Sequence, residues 1–297
     1  MNDRMFPSEP DLRDALEAHV GRPLLEAEPV SGGCIAQATR LATATDTFFL
    51  KWGRGDVAST FAGEAAGLKA LSNADAPLRI PTVHAVEPET DRRPGFLLME
   101  WIPPGSPAPT FMADLGTALA VLHRRTKATY GFSQDNHIGR LPQRNTTETN
   151  WPAFFRAHRL LPQRDMARAR NRWKSAWDAP FERLCADLEN RLPAAPKASI
   201  VHGDLWKGNV MATNQGGAAL IDPAAYYGHR EVDVAMTTLF GGFSSSFYDA
   251  YQAAWPLPDG LEERVQIYNL YHVINHLNHF GGTYAVQIER MLHRLTR

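Results

Sequence analysis

The sequence predicts an α+β fold with two lobes: a small, strand-rich lobe over residues 1–102 and a larger, mainly helical lobe over residues 103–297. Three observations lead to this prediction. Apolar residues alternate in several short runs before residue 102, as expected of strands. Prolines at positions 103, 104, 107 and 109 then interrupt the chain. Beyond them, apolar residues recur mostly at helical spacing.

The elements of the first lobe follow from start and stop signals. A helix is expected over residues 8–21, with Ser8 as its cap, Pro10 in its first turn and Gly21 at its end. Alternating residues on either side of a turn near residues 44–46 predict a hairpin. A second helix over residues 56–73, capped by Asp56, and strands over residues 81–87 and 95–102 complete this lobe.

The second lobe is predicted to begin with a helix over residues 111–126. The segment 130–150 is long, polar and rich in turn formers, so we expect a functional loop that borders the substrate. Helices are then expected over residues 151–177 and 180–192, strands before residues 202 and 222, and helices from there to the end.

Composition and charge restrict the classes of function. Of the 297 residues, 44% are hydrophobic and 21% are charged, which is typical of a soluble globular protein. The formal net charge of −1 argues against a nucleic-acid partner bound by bulk positive charge. No apolar run approaches the roughly 20 residues of a membrane span, and the N-terminus lacks the apolar core of a signal peptide. We therefore expect a cytoplasmic protein with no membrane partner.

One constellation of polar residues indicates the chemistry. The stretch HGDLWKGNV places Asp204 and Asn209 five residues apart after a short apolar strand, and Asp222 ends the apolar run AALID. Lys51 ends the run FFLKW, and Glu64 lies on the next helix. Phosphoryl transfer from ATP uses such a set: a lysine on the phosphates, a glutamate that pairs with it, an aspartate base, and an asparagine and aspartate that hold Mg²⁺. The sequence therefore predicts a kinase site.

The chain also resembles the fructosamine (ketosamine) kinases, within the larger group that includes aminoglycoside and choline kinases. The stretch HGDLWKGNV is closer to the fructosamine kinase form than to the looser aminoglycoside kinase form. The likeness continues over nearly the whole chain, in GGCIAQA, GEAAGLKAL, WPAFFRAHRL, IDPAAYYGHREVDVAM, LFGGF and NHLNHFG.

The resemblance implies a bilobal protein-kinase-like fold and a defined reaction. ATP would phosphorylate the 3-hydroxyl of a sugar carried on an amine, and the unstable product would release the amine. It also assigns residues: Asp204 as base, Asn209 and Asp222 on Mg²⁺, and Lys51 with Glu64 as the ion pair. Residues Glu100, Trp101 and Ile102 would form the hinge that holds adenine through backbone groups. The tripeptide IDP stands where protein kinases have Asp-Phe-Gly, and no long activation loop follows it.

Several assignments depend on the context of each residue. The residues Ser31, Gly32, Gly33 and Cys34 lie between two strands, so we interpret them as a loop over the ATP phosphates, although they depart from the full glycine-rich pattern. Trp206, two residues after the base, offers a flat face for a sugar or serves packing. Trp151 follows the polar segment 130–150 and is expected at the substrate site.

Two supporting roles are also predicted: His202 orients the loop, and Asp233 anchors it from a helix start. Cys34, beside phosphate-binding backbone groups and Lys51, is a candidate for oxidation. We therefore expect the protein to be either a monomer or a redox-sensitive homodimer joined through Cys34. Cys185, on an apolar helix stripe, is expected to be inert.

The alternatives are an aminoglycoside or other small-molecule hydroxyl kinase and, from another class, a nucleotide-binding pseudokinase. The presence of all five catalytic groups argues against the pseudokinase. The preferred sugar is left open, as is the choice between ketosamine small molecules and glycated protein lysines as substrates.

Overall fold

An antiparallel sheet forms the centre of the N-terminal lobe in the computed structural model, which describes residues 9–30 and 36–296. Its elements, in chain order, are α1 (Pro10–Val20), β1 (Glu26–Pro29), β2 (Gln37–Ala42), β3 (Thr47–Gly53), α2 (Asp56–Ser72), β4 (Val83–Glu87) and β5 (Gly95–Glu100). The strands are ordered β1-β2-β3-β5-β4 and every pair is antiparallel. The strand-rich first lobe is therefore confirmed.

Most of the predicted helix ends and turns of this lobe are confirmed. Pro10 lies in the first turn of α1, and Gly21 ends the helix at φ 69° with its N–H donating to the carbonyl of Glu17. The hairpin of β2 and β3 pairs Ala42 with Thr47 across the expected turn. Asp56 is the first residue of α2 rather than its cap, which is Gly55. Ser8 lies outside the described residues.

Alternation along the strands sends side chains to two separate cores. In β3, Leu50 packs on the α1 side of the sheet with Leu98 of β5. Leu97 of β5 belongs to the larger core on the opposite side, which includes Phe61 of α2. Since successive strand residues face opposite sides, Lys51 lies on the side of α2. The period of the sheet thus places this lysine within reach of Glu64.

The C-terminal lobe is mainly helical, as predicted. Its elements are α3 (Phe111–His123), β6 (Thr126–Lys127), β7 (Asn136–Ile138), β8 (Leu141–Gln143), α4 (Trp151–Phe155), α5 (Leu161–Ala169), α6 (Asp178–Arg191), β9 (Ala198–Val201), β10 (Val210–Ala212), β11 (Ala218–Leu220), β12 (Tyr226–His229), α7 (Glu231–Leu239), α8 (Ser245–Ala254), α9 (Leu261–Phe280) and α10 (Ala285–Leu295). Strand β9 pairs with β12, and β10 pairs with β11, all antiparallel. Among the described residues, no helix is long and apolar enough to cross a membrane.

The helix predicted over residues 151–177 is shorter and interrupted. A π-helical turn at Arg156–Leu160 separates α4 from α5, and α5 ends at Ala169. Pro162 follows this turn and has no N–H for the regular helical ladder, so the widened turn accommodates the missing bond.

The prediction that residues 130–150 form a loop without regular structure is wrong, whereas their place beside the substrate stays a prediction. The segment contains the hairpin of β7 and β8, and its polar side chains Asn136, Gln143 and Asn145 are buried. Gln143 Nε2 and Asn145 Nδ2 both donate to Asn136 Oδ1, at 2.9 and 2.8 Å. The fully buried Arg159 donates from Nη2 to Asn145 Oδ1 at 2.8 Å. The polar composition therefore reflects an internal hydrogen-bond network rather than a solvated loop.

Candidate active site

Two loops of the C-terminal lobe meet at the cleft between the lobes. The first follows β9 and carries Asp204 and Asn209, and the second follows β11 and carries Asp222. Their backbones are joined twice, because Ile221 N–H donates to the carbonyl of Asn209 at 3.1 Å and Ala224 N–H donates to that of His202 at 2.9 Å. The two loops therefore form one unit that fixes the distance between these three side chains.

His202 and Asp233 hold the first loop in place. The carboxylate of Asp233, at the start of α7, accepts the backbone N–H groups of His202 and Gly203 at 2.6 and 2.9 Å, and His123 Nε2 lies 3.2 Å from it. The His202 ring joins both loops: Nδ1 accepts the N–H of Asp204 at 3.3 Å, and Nε2 donates to the carbonyl of Ile221 at 2.9 Å. The predicted supporting roles of His202 and Asp233 are confirmed.

Burial separates the charge states of these groups. Burial lowers the pKa of His202, so its ring is neutral at neutral pH and can accept a hydrogen bond at one nitrogen. Burial would raise the pKa of Asp233, but the hydrogen bonds with His123 and with the N–H of Gly203 act in the opposite direction, and the pKa is lowered. Asp233 therefore stays ionised as the anchor of the loop.

Asp204 has the environment of a base. It is half-buried, and Asn209 Nδ2 donates to its backbone carbonyl at 2.8 Å and to its Oδ2 at 3.2 Å. Burial raises the pKa of Asp204 to about 7, although the hydrogen bond from Asn209 lowers it, and the nearby Asp222 and Asp233 raise it further. A carboxylate with a pKa near neutrality is suited to accept the proton of a hydroxyl group.

Lys51 links the two lobes. Its Nζ donates to Glu64 Oε1 at 2.7 Å and to Asp222 Oδ1 at 2.5 Å. Burial alone would lower the pKa of Lys51, but the charges of Glu64 and Asp222 more than offset it and raise the pKa above its ordinary value. The ammonium group therefore remains charged at the cleft, where it can neutralise an anionic phosphate.

Asp222 and Asn209 fit the magnesium ion that a kinase uses with its nucleotide. The amide nitrogen of Asn209 donates to Asp204, and its amide oxygen accepts no hydrogen bond from the part of the chain that the structure describes. The Asp222 side chain is 45% exposed, and its backbone is left-handed at φ 55°, a conformation that aspartate tolerates better than most residues. Carboxylate and amide oxygens are the hard ligands that Mg²⁺ prefers, together with phosphate oxygens.

The predicted hinge lies where the chain leaves the sheet. Trp101 and Ile102 follow β5 outside any strand, so their backbones are separate from the sheet ladder. The N–H of Glu100 donates to the carbonyl of Thr82 at 2.8 Å, so this group already has a partner within the protein. The side chain of Trp101 packs near Phe49, with ring centroids 6.1 Å apart.

The tryptophans predicted at the substrate site differ. Trp206 lies in the first loop, between Asp204 and Asn209, and is 40% exposed, so its contact with substrate stays a prediction. Trp151 is fully buried: its Nε1 donates to the Tyr268 hydroxyl at 3.0 Å, and its ring stacks on Phe154. It has no exposed face for a ligand, so its assignment to the substrate site is wrong.

The remaining candidate residues are those of the phosphate loop and Cys185. Ser31, Gly32, Gly33 and Cys34 lie outside the described residues. Cys185 is buried on α6, and burial raises its pKa to about 11, in agreement with an inert thiol.

The fold and this site define a class of protein. A strand-rich lobe with a lysine–glutamate pair faces a helical lobe that supplies two aspartates and an asparagine across the cleft. This is the arrangement of a kinase, a phosphotransferase with an alcohol group as acceptor.

The fructosamine kinase family model matches residues 10–297, and the chain belongs to this family. A relative from Enterococcus faecium, "Probable ketoamine kinase", is 39% identical over 268 residues, which cover 89% of this chain and 93% of the relative. The "Protein-ribulosamine 3-kinase, chloroplastic" of Arabidopsis thaliana is 35% identical, over 86% of this chain and 78% of that protein. A crystal structure from Thermobifida fusca, "putative fructosamine-3-kinase", superposes with a TM-score of 0.85 at 28% identity, over 96% of this chain and 98% of that one.

Sequence reasoning missed some groups at the site. His123 lies on α3, far from the motif in sequence, yet it supports Asp233 and is itself held by the Tyr251 hydroxyl, 2.8 Å from Nδ1. A lone histidine in an apolar helical stripe gives no signal of this role. Phe240 was also missed, although it lies in the quoted stretch LFGGF and contacts Trp206 with ring centroids 6.4 Å apart.

Proposed function

We propose that the protein transfers the γ-phosphoryl group of ATP, with Mg²⁺, to the 3-hydroxyl of a ketosamine of the fructosamine or ribulosamine type. One observation carries the proposal: Lys51 and Glu64 of the N-terminal lobe meet Asp222 in an ion-paired cluster at the cleft. Asp222 lies on the pair of joined loops that also holds Asp204 and Asn209. The family and the names of the relatives support a sugar hydroxyl as the acceptor.

The roles follow from the geometry. Asp204 accepts the proton of the hydroxyl as that oxygen forms its bond to phosphorus, and Asn209 keeps the carboxylate oriented through Oδ2. Lys51 binds the phosphates of ATP, and Glu64 fixes its position. Asn209 and Asp222 would hold Mg²⁺, which neutralises charge on the phosphate oxygens when bound.

The remaining contacts complete the proposed site. The backbone of residues 100–102 would hold adenine, and residues 31–34 would cover the phosphates. The lobes would divide at residue 102, with nucleotide bound mainly by residues 1–102. The exposed face of Trp206 would lie against the sugar. Ketosamines carrying a 3-phosphate shed the sugar, so the net outcome would be deglycation of a small amine or of a protein lysine.

A panel of ketosamines tests the proposal. Fructosamine, ribulosamine and erythrulosamine derivatives of one amine are each incubated with ATP and Mg²⁺, and ADP release is measured with an aminoglycoside in parallel. We expect turnover with at least one ketosamine and none with the aminoglycoside. Turnover of the aminoglycoside alone would overturn the proposal.

The base is tested in the same assay with Asp204→Asn. We expect kcat to fall on the order of 10²- to 10⁴-fold, because a positioned general base is removed, while the Kd for nucleotide stays close to that of the parent. Val86→Ala, an exposed position on β4, serves as the control that leaves kcat unchanged. A nearly normal kcat for Asp204→Asn would remove this residue from the mechanism.

A further inference from the structure

An exposed aromatic surface runs from the catalytic loop across the C-terminal lobe. We define it by Trp206, Phe240, His276, Phe280 and Tyr284. Trp206, Phe240 and Phe280 are 40%, 42% and 62% exposed. Large aromatic side chains with this exposure, grouped together, mark an interaction site more often than isolated ones do.

The rings of this aromatic surface form a continuous chain of contacts. Ring centroids of Phe240 lie 6.4 Å from Trp206 and 4.7 Å from His276. His276 in turn lies 5.6 Å from Phe280 and 5.2 Å from Tyr284. These distances are those of ordinary aromatic contacts, so the surface is continuous.

The histidine in the middle behaves as a neutral flat ring. Its Nδ1 donates to the carbonyl of His272 one turn earlier, at 2.8 Å. Burial lowers the pKa of His276, so the ring is uncharged at neutral pH. The aromatic surface therefore presents no formal charge to a ligand.

The position of this surface relates it to the acceptor substrate. In a ketosamine the amine is attached to the sugar carbon two bonds from the carbon that bears the 3-hydroxyl. When that hydroxyl lies at Asp204, the amine lies only a few ångströms away, and Trp206 follows Asp204 by two residues. The group carried by the amine must then extend from the sugar away from the catalytic loop.

We propose that the aromatic surface binds the group carried by the amine, and that it selects ketosamines of amines with an aromatic or other apolar body. This inference rests on the proposed function. The protonated amine would lie near the face of Trp206, to which a cation is attracted. The apolar body would then lie along Phe240 and Phe280, where its burial is favourable, whereas neither of these side chains offers a carboxylate a hydrogen bond or a charge.

The test compares two substrates with the same sugar, the fructosamine of phenethylamine and the fructosamine of glycine. The readout is the ratio of their kcat/KM values in the parent, in Phe280→Ala and in the control Val86→Ala, which removes an exposed apolar side chain from the other lobe. Phe280 is distant in sequence from the catalytic loop, and its exposure makes the substitution safe for folding.

We expect the parent to favour the phenethylamine derivative and Phe280→Ala to reduce that preference roughly 2- to 10-fold, the worth of one aromatic contact. The loss should appear as a raised KM for the phenethylamine derivative, with kcat and the glycine derivative unaffected. The control should keep the parental ratio.

The outcomes separate the two proposals. If the parent phosphorylates neither fructosamine nor any other ketosamine, the proposed function fails. If both derivatives are phosphorylated and Phe280→Ala keeps the parental ratio, the function holds and the aromatic surface has another use. A change of oligomeric state in Phe280→Ala, measured by size-exclusion chromatography with light scattering, together with an unchanged ratio, would show a contact between copies of the chain instead.

Discussion

Replacing Asp233 by asparagine should weaken both the fold and the reaction, although this residue does not touch the substrate. The carboxylate accepts two backbone N–H groups of the catalytic loop, and the residue is 1% exposed. Asparagine has the same shape, so no cavity forms. Its amide has one oxygen and one NH₂ group, however, so in either orientation one loop N–H faces another donor.

The cost can be worked from these contacts. One buried donor left without an acceptor costs about 1–3 kcal/mol. Making the remaining bonds neutral instead of charge-assisted costs about 1 kcal/mol more. We therefore expect the free energy of unfolding to fall by about 3 kcal/mol and Tm to fall by about 5 °C.

The catalytic effect follows from the loop position. A displacement of about 1 Å at a reacting group can cost on the order of 10²-fold in rate, so Asp233→Asn should lower kcat by about that factor. Differential scanning fluorimetry and ADP release measure the two effects. The control is Asp187→Asn on α6, where the carboxylate also accepts two side-chain hydrogen bonds but lies at the surface. A Tm and a kcat for Asp233→Asn that match those of this control would refute the reasoning.

Three further predictions concern the metal, the loop backbone and one buried histidine. Asp222→Ala should abolish turnover, while Asn209→Ala should retain some and need more Mg²⁺, because each protein ligand of this ion matters; unchanged Mg²⁺ dependence in a titration would contradict the role of Asn209. Gly203→Ala should lower Tm and kcat more than Gly21→Ala: both glycines have positive φ, but a Cβ at position 203 would lie 2.2 Å from a backbone oxygen, whereas none lies within 4 Å at position 21. Burial lowers the pKa of His272 to about 3. The free energy of unfolding should therefore decrease as pH falls below 6.5, because the unfolded chain binds a proton at this residue that the folded chain does not. His272→Leu should reduce the pH slope of the unfolding free energy by about 1.4 kcal/mol per pH unit between pH 5.5 and 4, measured by urea denaturation.

The residues that the sequence predicted well are those whose placement depends on short-range periodicity. Lys51 reaches Glu64 because alternation along β3 and the stripe of α2 direct both side chains to one side of the sheet. Asp204 and Asn209 meet because one short loop holds both. In each case the chain geometry over a few residues decides the outcome.

The residues that the sequence predicted badly depend on contacts between distant segments. Trp151 and the polar segment before it have the composition of a binding site. A buried network and a solvated loop use the same residue types, however, so composition alone could not separate them. Only the burial of Asn145 against Arg159 shows which one is present. His123 likewise gained its role from a partner 110 residues away.

The three aspartates of the site show how one residue type acquires different roles. Asp233 receives two backbone donors and stands beside a histidine, and its lowered pKa keeps it an anion that anchors the loop. Asp222 pairs with Lys51 through one oxygen, and the other accepts no hydrogen bond from the described residues, which suits a cation. Among the described residues, only the amide of Asn209 donates to the Asp204 carboxylate, and burial raises the pKa of Asp204 to about 7, which suits a base. The number and charge of the donors around each carboxylate, rather than its place in the motif, therefore decide which of these roles its environment suits.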